Sequence, residues 1–338
     1  MSLLALLLLL PAAAEGFVPS GAAPRPRPRA AAAAPRPIVV TCTARSAAAA
    51  DEAERCALVA EAAARAAGAA IVRGDARGGD ARLSSTKFNG RDLVTETDKA
   101  AQSAALQTLA RLDPEALVLG EEDVAPGRDA SIAACSAALA DAAVLGKVLY
   151  IVDPLDGTTN FCHGMPLSSV SISAVRGGEI IAGVVFDPFR DELFAAYRGG
   201  LGTTLNGGRV VTTRDEALSD AVILAGAPPD PRSAAPAARG IAAVMPKCRT
   251  IRMLGSAALM YAWVACGRCS AYFEHDLSSW DVSAGALLVQ EAGGTVVTCA
   301  GDPYALEERS ILAASGTSLS GELVDVLAEA GASHYDEP

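Results

Sequence analysis

The 338-residue chain reads as an α/β protein, and three observations predict this class. Short apolar runs suited to buried strands, at residues 117–119 and 148–152, alternate with stretches of helical composition carrying N-cap residues. Between residues 168 and 197, three apolar or alternating runs separated by Gly177-Gly178 and Asp187-Pro188 read as an antiparallel meander. Residues 222–225 and 249–252 add strands of a mixed sheet. A net charge of −11 argues against non-specific nucleic-acid binding. No stretch is long and apolar enough to be a membrane span of the mature protein.

The first 50 residues differ in composition from the rest. Residues 3–10 are apolar but too short to cross a bilayer, and Pro11, Ala12, Ala13 and Ala14 follow as in a cleaved signal. Residues 16–50 hold no acid, while Arg25, Arg27, Arg29, Arg36 and Arg45 lie among Ala, Pro and Ser, as in a transit peptide. This two-part lead, with Phe17 after the small residues, resembles the presequence of proteins sent to secondary plastids. The alternative is a secretory signal with a disordered linker. The eight cysteines have no framework spacing and are read as mostly reduced. Cys266 and Cys269 form a CxxC with no second pair or nearby His.

Residues 51–72, rich in Ala, Glu, Arg and Leu, predict the first helix. A Gly/Arg/Ser loop over 74–85 leads to Lys87 and to the segment Asp92-Leu93-Val94-Thr95-Glu96-Thr97-Asp98. Thr97 is placed to cap a helix over 98–111, in which Asp98 would complement the dipole. The strand at 117–119 ends in Gly120-Glu121-Glu122-Asp123. A triple acid suits a solvated loop, but a strand delivering Glu121 beside a glycine also suits a cation ligand. Residues 124–147 carry no readable chemistry.

The densest stretch is VLYIVDPLDGTTNF, residues 148–161. A buried strand ends in Asp153 and Asp156 around Pro154; Gly157, Thr158, Thr159 and Asn160 then open a helix. Either Asp pair alone would be turn chemistry. Together they set hard oxygen ligands beside backbone N–H groups able to hold an anion. Residues 199–208 read as hairpin turns, and residues 228–239 as a Pro/Ala-rich surface loop. Gly255 opens an apolar helix reaching Cys269, and a strand over 271–274 ends with Glu274 in the open. Ser278 or Ser279 caps a helix to about residue 292 with Asp281 in its first turn. Strands at 295–298 and 311–313 and a helix over 321–330 complete the chain. Four carboxylates without His or thiolate favour Mg²⁺ over Zn²⁺.

DPLDGTTNF is the signature of the inositol monophosphatase family, and the chain also resembles it in DLVTETD, in GEE and in the WD followed by EAGG at Trp280, Asp281 and 291–294. The resemblance spans residues 51–330. It implies a layered α-β-α-β-α sandwich, with an N-terminal α+β half (51–207) carrying the metal site and a C-terminal α/β half (208–338). It implies hydrolysis of a small phosphate monoester with two to three Mg²⁺ ions, sensitive to Li⁺. The first ion would be held by Glu121, Asp153 and the Leu155 carbonyl, the second by Asp153, Asp156 and Asp281, and a third by Glu121. Phosphate would lie against the N–H groups of Gly157 and Thr158. Glu121 and Thr158 would orient the attacking water, Asp98 would hold Thr158, and Lys87 would border the metals.

Substrate hydroxyls would meet Asp156, Ala257 and Glu274. A carboxylate at 274 suits a polyol, so myo-inositol monophosphate is the expected substrate, with histidinol phosphate and galactose 1-phosphate as alternatives. The spacer 275–279 departs from the family's Gly-rich one. Homodimers are usual in the family. A catalytically silent structural subunit is the alternative class; it should have lost ligands, and every one is present here.

Overall fold

The computed structural model describes residues 47–78, 84–86, 93–226, 228 and 230–335. The targeting segment, apart from residues 47–50, and Lys87 lie outside the described residues. From Ala44 on, the chain forms one unit by its internal contacts.

Five layers stack in this unit. The first holds α1 (Ala47–Arg77) and α2 (Glu96–Leu112), which pack side by side, with the short antiparallel pair β1 (Ser84–Thr86) and β2 (Leu93–Thr95) preceding α2. A buried stripe of alanines at 53, 57, 60, 63, 64 and 67 lets α1 approach the sheet beneath it. At Gly68 even a Cβ would come within 2.5 Å of the Phe186 ring.

The second layer is a seven-stranded sheet. Its strands are β3 (Leu117–Gly120), β4 (Leu149–Asp156), β5 (Ser169–Arg176), β6 (Glu179–Asp187), β7 (Glu192–Tyr197), β8 (Thr204–Leu205) and β9 (Gly208–Arg209), lying in that order. β3 runs parallel to β4, joined by α3 (Arg128–Leu145), and the remaining pairs are antiparallel. All eight residues of β4 are buried, because helices cover both of its faces. Tyr150 and Val152 face α1 and α2, while Leu149 and Ile151 face the other side.

That other side is the third layer, α6 (Ala257–Ala265) and α7 (Ser279–Glu291). β5 meets it with serines: Ser171 Oγ donates to the Trp280 carbonyl at 2.8 Å, and Ser173 Oγ lies 2.7 Å from Ser283 Oγ. The fourth layer is a sheet of order β11-β10-β12-β14-β13, built from β10 (Val222–Ala225), β11 (Thr250–Arg252), β12 (Ala271–Glu274), β13 (Thr295–Thr298) and β14 (Ile311–Ala314). β10 is parallel to β11 and β12, and β14 is antiparallel to β12 and β13, so the sheet is mixed. α5 (Pro231–Val244) and α8 (Thr317–Glu329) form the last layer. The layered sandwich expected from the family resemblance is the fold of this chain. The five-residue α4 (Thr158–Cys162) stands at the end of β4, outside the layers.

Three local expectations need correction. Residues 228–239 are mostly helix, because Asp230 accepts from the Arg232 N–H at 2.9 Å and Pro231 fills the first helical position, where no N–H is needed. α2 is capped by Thr95 in place of Thr97: the Thr95 hydroxyl accepts from Thr97 and Asp98 N–H, and the Asp98 carboxylate accepts in return from Thr95 N–H at 2.8 Å. α1 also runs five residues beyond its expected end.

Candidate active site

The end of β4 organises the site. Successive side chains of a strand face opposite ways, so residues 153 and 156 would normally diverge. A register shift against β5 between Asp153 and Asp156 breaks that alternation. Oxygens of Asp153, Asp156 and Asp281 consequently lie within 4.8 Å of one another. Asp281 arrives from the first turn of α7, where its carboxylate accepts from Ser278 N–H at 2.6 Å. Glu121 stands at the end of β3 and hydrogen-bonds the Asp153 side chain.

These acids crowd one another. Burial, followed by the charges of Glu121, Asp156 and Asp281, raises the Asp153 pKa well above the usual carboxylate range. Burial and the same kind of repulsion from Glu121 and Asp156 raise Asp281. Asp156 is pushed up to about 6 by burial, against the pull of hydrogen bonds from Ser256 Oγ at 2.6 Å, Ala258 N–H at 2.7 Å and Ala257 N–H at 3.1 Å. Like-charged oxygens crowded together in this way fit a small hard divalent cation, whose charge would remove the repulsion.

Beside the acids the chain turns sharply at Gly157, φ +89°. A Cβ there would come within 2.9 Å of the Leu167 carbonyl. Asn160 ties this turn to the second half of the chain, its amide donating to the Leu167 and Leu254 carbonyls at 2.7 Å each. Thr158 Oγ lies 3.1 Å from an Asp98 oxygen and 3.2 Å from the Leu155 carbonyl, so the expected Asp98–Thr158 contact is present. α4 has only five residues, too few for a substantial helix dipole at the Gly157–Thr158 turn.

Glu121, Asp156, Ala257, Glu274 and Asp281 line one cleft of about 580 Å³. Glu274 is not in the open: it is 9% exposed. The Tyr272 hydroxyl donates to it, and Gly226 leaves it room, since a Cβ there would fall 1.7 Å from the carboxyl carbon. Burial pushes Glu274 up to about 7, against the Tyr272 hydrogen bond.

The sequence matches the inositol monophosphatase family over residues 52–332. The chain belongs to the inositol monophosphatase family. Members are metal-dependent phosphoric monoester hydrolases, and this chain is a phosphatase with an acidic cluster that could hold a metal ion. It is 39% identical over 230 residues to the inositol-1-monophosphatase of Rhizobium meliloti, covering 65% of this chain and 77% of that one. It is 38% identical over 206 residues to the Nus factor SuhB of Xylella fastidiosa, covering 61% and 68%. Its fold is similar to the solved inositol monophosphatase from Anabaena, with a TM-score of 0.67, 31% identity, and coverage of 82% of this chain and 97% of that one.

Sequence reasoning about this phosphatase missed what holds the acids. Ser256, which caps α6 and bonds Asp156, followed a legible Gly-Ser start. Tyr272 sits two residues before Glu274 on the same face of β12. Arg128 and Arg309, which line the same cleft, carried no local signal.

Proposed function

We propose that this phosphatase hydrolyses a small polyol phosphate, myo-inositol monophosphate first, with Mg²⁺ as its cation. The observation carrying this reading is that Glu274 and Asp156 open into the same cleft as Glu121 and Asp281. A pair of carboxylate acceptors in the same cleft as the cation-site acids suits a ring bearing hydroxyls beside its phosphate. Glu121, Asp153, the Leu155 carbonyl, Asp156 and Asp281 would hold the cations. When bound, divalent cations there would acidify a water and offset charge on the phosphoryl oxygens.

The chain's own groups supply the rest. The N–H groups of Gly157 and Thr158 bind a phosphoryl oxygen, and the positive φ of Gly157 aims them. Thr158 and Glu121 flank the place for a water, with the Thr158 hydroxyl fixed through Asp98. Asp98 itself is locked by Thr95, so its orientation is set before substrate arrives. The Glu274 carboxylate, held by Tyr272, accepts from hydroxyls on the far side of the ring. No side-chain nucleophile is needed: Ser256 is already occupied with Asp156 and Ser169.

The test is hydrolysis by the purified protein of myo-inositol 1-phosphate, histidinol phosphate and galactose 1-phosphate with Mg²⁺, with Li⁺ as inhibitor. The expected kcat/KM order puts inositol monophosphate first by about tenfold or more, as for a site built around hydroxyl partners. Histidinol phosphate being turned over faster than inositol monophosphate would overturn the ranking.

A further inference from the structure

The cleft is also lined by residues that the chemistry above does not use, among them Arg128, Asp276 and Arg309. The spacer between Glu274 and Asp281 turns at Asp276, which takes the left-handed conformation, φ +63°. Here an aspartate makes the turn expected of a glycine. Its carboxylate accepts from Arg128 Nε at 3.1 Å, Arg309 Nε at 3.0 Å and Ser233 Oγ at 3.0 Å. Arg128 is covered in turn by the Tyr335 ring, whose centroid lies 3.6 Å from the guanidinium carbon. The same ring meets the His275 ring edge-on at 6.4 Å. Tyr335 lies past residue 332, where the family match ends.

We propose that Tyr335 is a positioning residue for the substrate side of the cleft. Its ring shields the Arg128–Asp276 pair, whose side chains are 18% and 9% exposed, and a shielded pair holds its geometry more tightly than a wet one. Asp276 is two residues from Glu274, so the clamp fixes the backbone just past the strand end that presents that carboxylate, which Tyr272 then orients. Asp281 is anchored by the Ser278 N–H at the start of α7, and Ser278 Oγ is held by Arg309, whereas the Tyr335 ring stacks on Arg128. The consequence therefore falls on substrate binding and spares both the chemical step and cation binding.

The experiment compares Tyr335→Leu and Tyr335→Phe in the full chain. Its kinetic arm rests on the proposed contact between Glu274 and substrate; its exchange arm does not. Tyr335→Leu removes the π face, and its KM for inositol monophosphate is expected to rise about threefold to tenfold, the factor matching loss of a partly desolvated cation–π contact. The kcat and the Mg²⁺ concentration for half-activity stay unchanged. Tyr335→Phe keeps the ring and stays near the parent KM. Amide exchange over residues 275–279 is expected to quicken in the Leu variant alone. Unchanged exchange in Tyr335→Leu, or a loss that falls on kcat, or identical behaviour of the two variants, overturns the proposal. Faster exchange with unchanged KM also overturns it, by removing the link to substrate. Absence of any inositol monophosphate hydrolysis sinks the functional reading alone, and exchange still decides the clamp.

Discussion

Asp276 and Asp281 stand five residues apart on the same wall of the cleft, and their surroundings are opposite. Asp276 is held by two guanidinium groups and a serine hydroxyl. Asp281 looks out at Asp153 and Asp156, and its pKa is raised by burial and by the charges of Glu121 and Asp156. The first carboxylate is satisfied by the chain; the second accepts from the Ser278 N–H and otherwise faces other acids, as the proposed cation site requires. The fold thus holds two acids at similar depth by separating structure from function along one short spacer. Tension sits where the chemistry is, and a self-sufficient ion-pair network supports it from behind.

Neutralising each acid separates the two roles. Asp281→Asn removes a proposed cation ligand, and phosphatase activity is expected to fall by about a hundredfold or more, comparable to losing a group that offsets transition-state charge. Because the substitution also relieves repulsion, the metal-free variant should unfold at a midpoint no lower than that of the parent. Loss of activity accompanied by a lower metal-free midpoint would show that Asp281 serves the fold instead.

Asp276→Asn is the mirror experiment. Asparagine accepts the left-handed backbone as readily as aspartate, so the change isolates the charge. It leaves Arg128 and Arg309 without their counter-ion; their side chains are 18% and 10% exposed, so the cost falls below that of a fully buried pair, about 2–3 kcal/mol. Denaturant unfolding with an unchanged m-value measures it. A change under about 0.5 kcal/mol would mean that the network contributes no more than a surface pair.

The acids of the site were legible in the sequence because each stands where an element begins or ends, next to a local signal: Gly120 before Glu121, Pro154 between Asp153 and Asp156, Trp280 before Asp281. What stayed hidden depends on the layers coming together. Arg128 meets Asp276 across 148 positions of sequence, and nothing in the Ala-rich stretch around Arg128 marks it. Glu274 appeared exposed because a strand end is usually wet; its burial comes from Gly226 at the end of the neighbouring β10, where the missing side chain leaves room for the carboxylate. Pro236 and the alanines around it suggest a loop, but Asp230 caps the helix and Pro231 fills its first position, local helix signals that the loop reading passes over. Periodicity and caps locate elements; partners from other layers decide which polar groups are held and which are left strained.

The smallest effect sharpens the same contrast through pH. In the metal-free protein Asp156, at about 6, and Glu274, at about 7, bind protons more tightly than unfolded carboxylates, whose pKa lies near 4. Asp153 and Asp281 are shifted in the same direction. A raised folded-state pKa stabilises the fold at low pH, and the contribution is lost as pH climbs through the folded value. Without metal, the unfolding midpoint is therefore expected to fall from about pH 4, where unfolded carboxylates begin to release protons, to about pH 7. In the proposed site Mg²⁺ needs Asp153, Asp156 and Asp281 deprotonated, so its stabilising effect is expected to grow over that window and the two melting curves to move apart. Metal-free and Mg²⁺-loaded midpoints that stay a constant distance apart across the window would mean that these acids and the cation do not share a site.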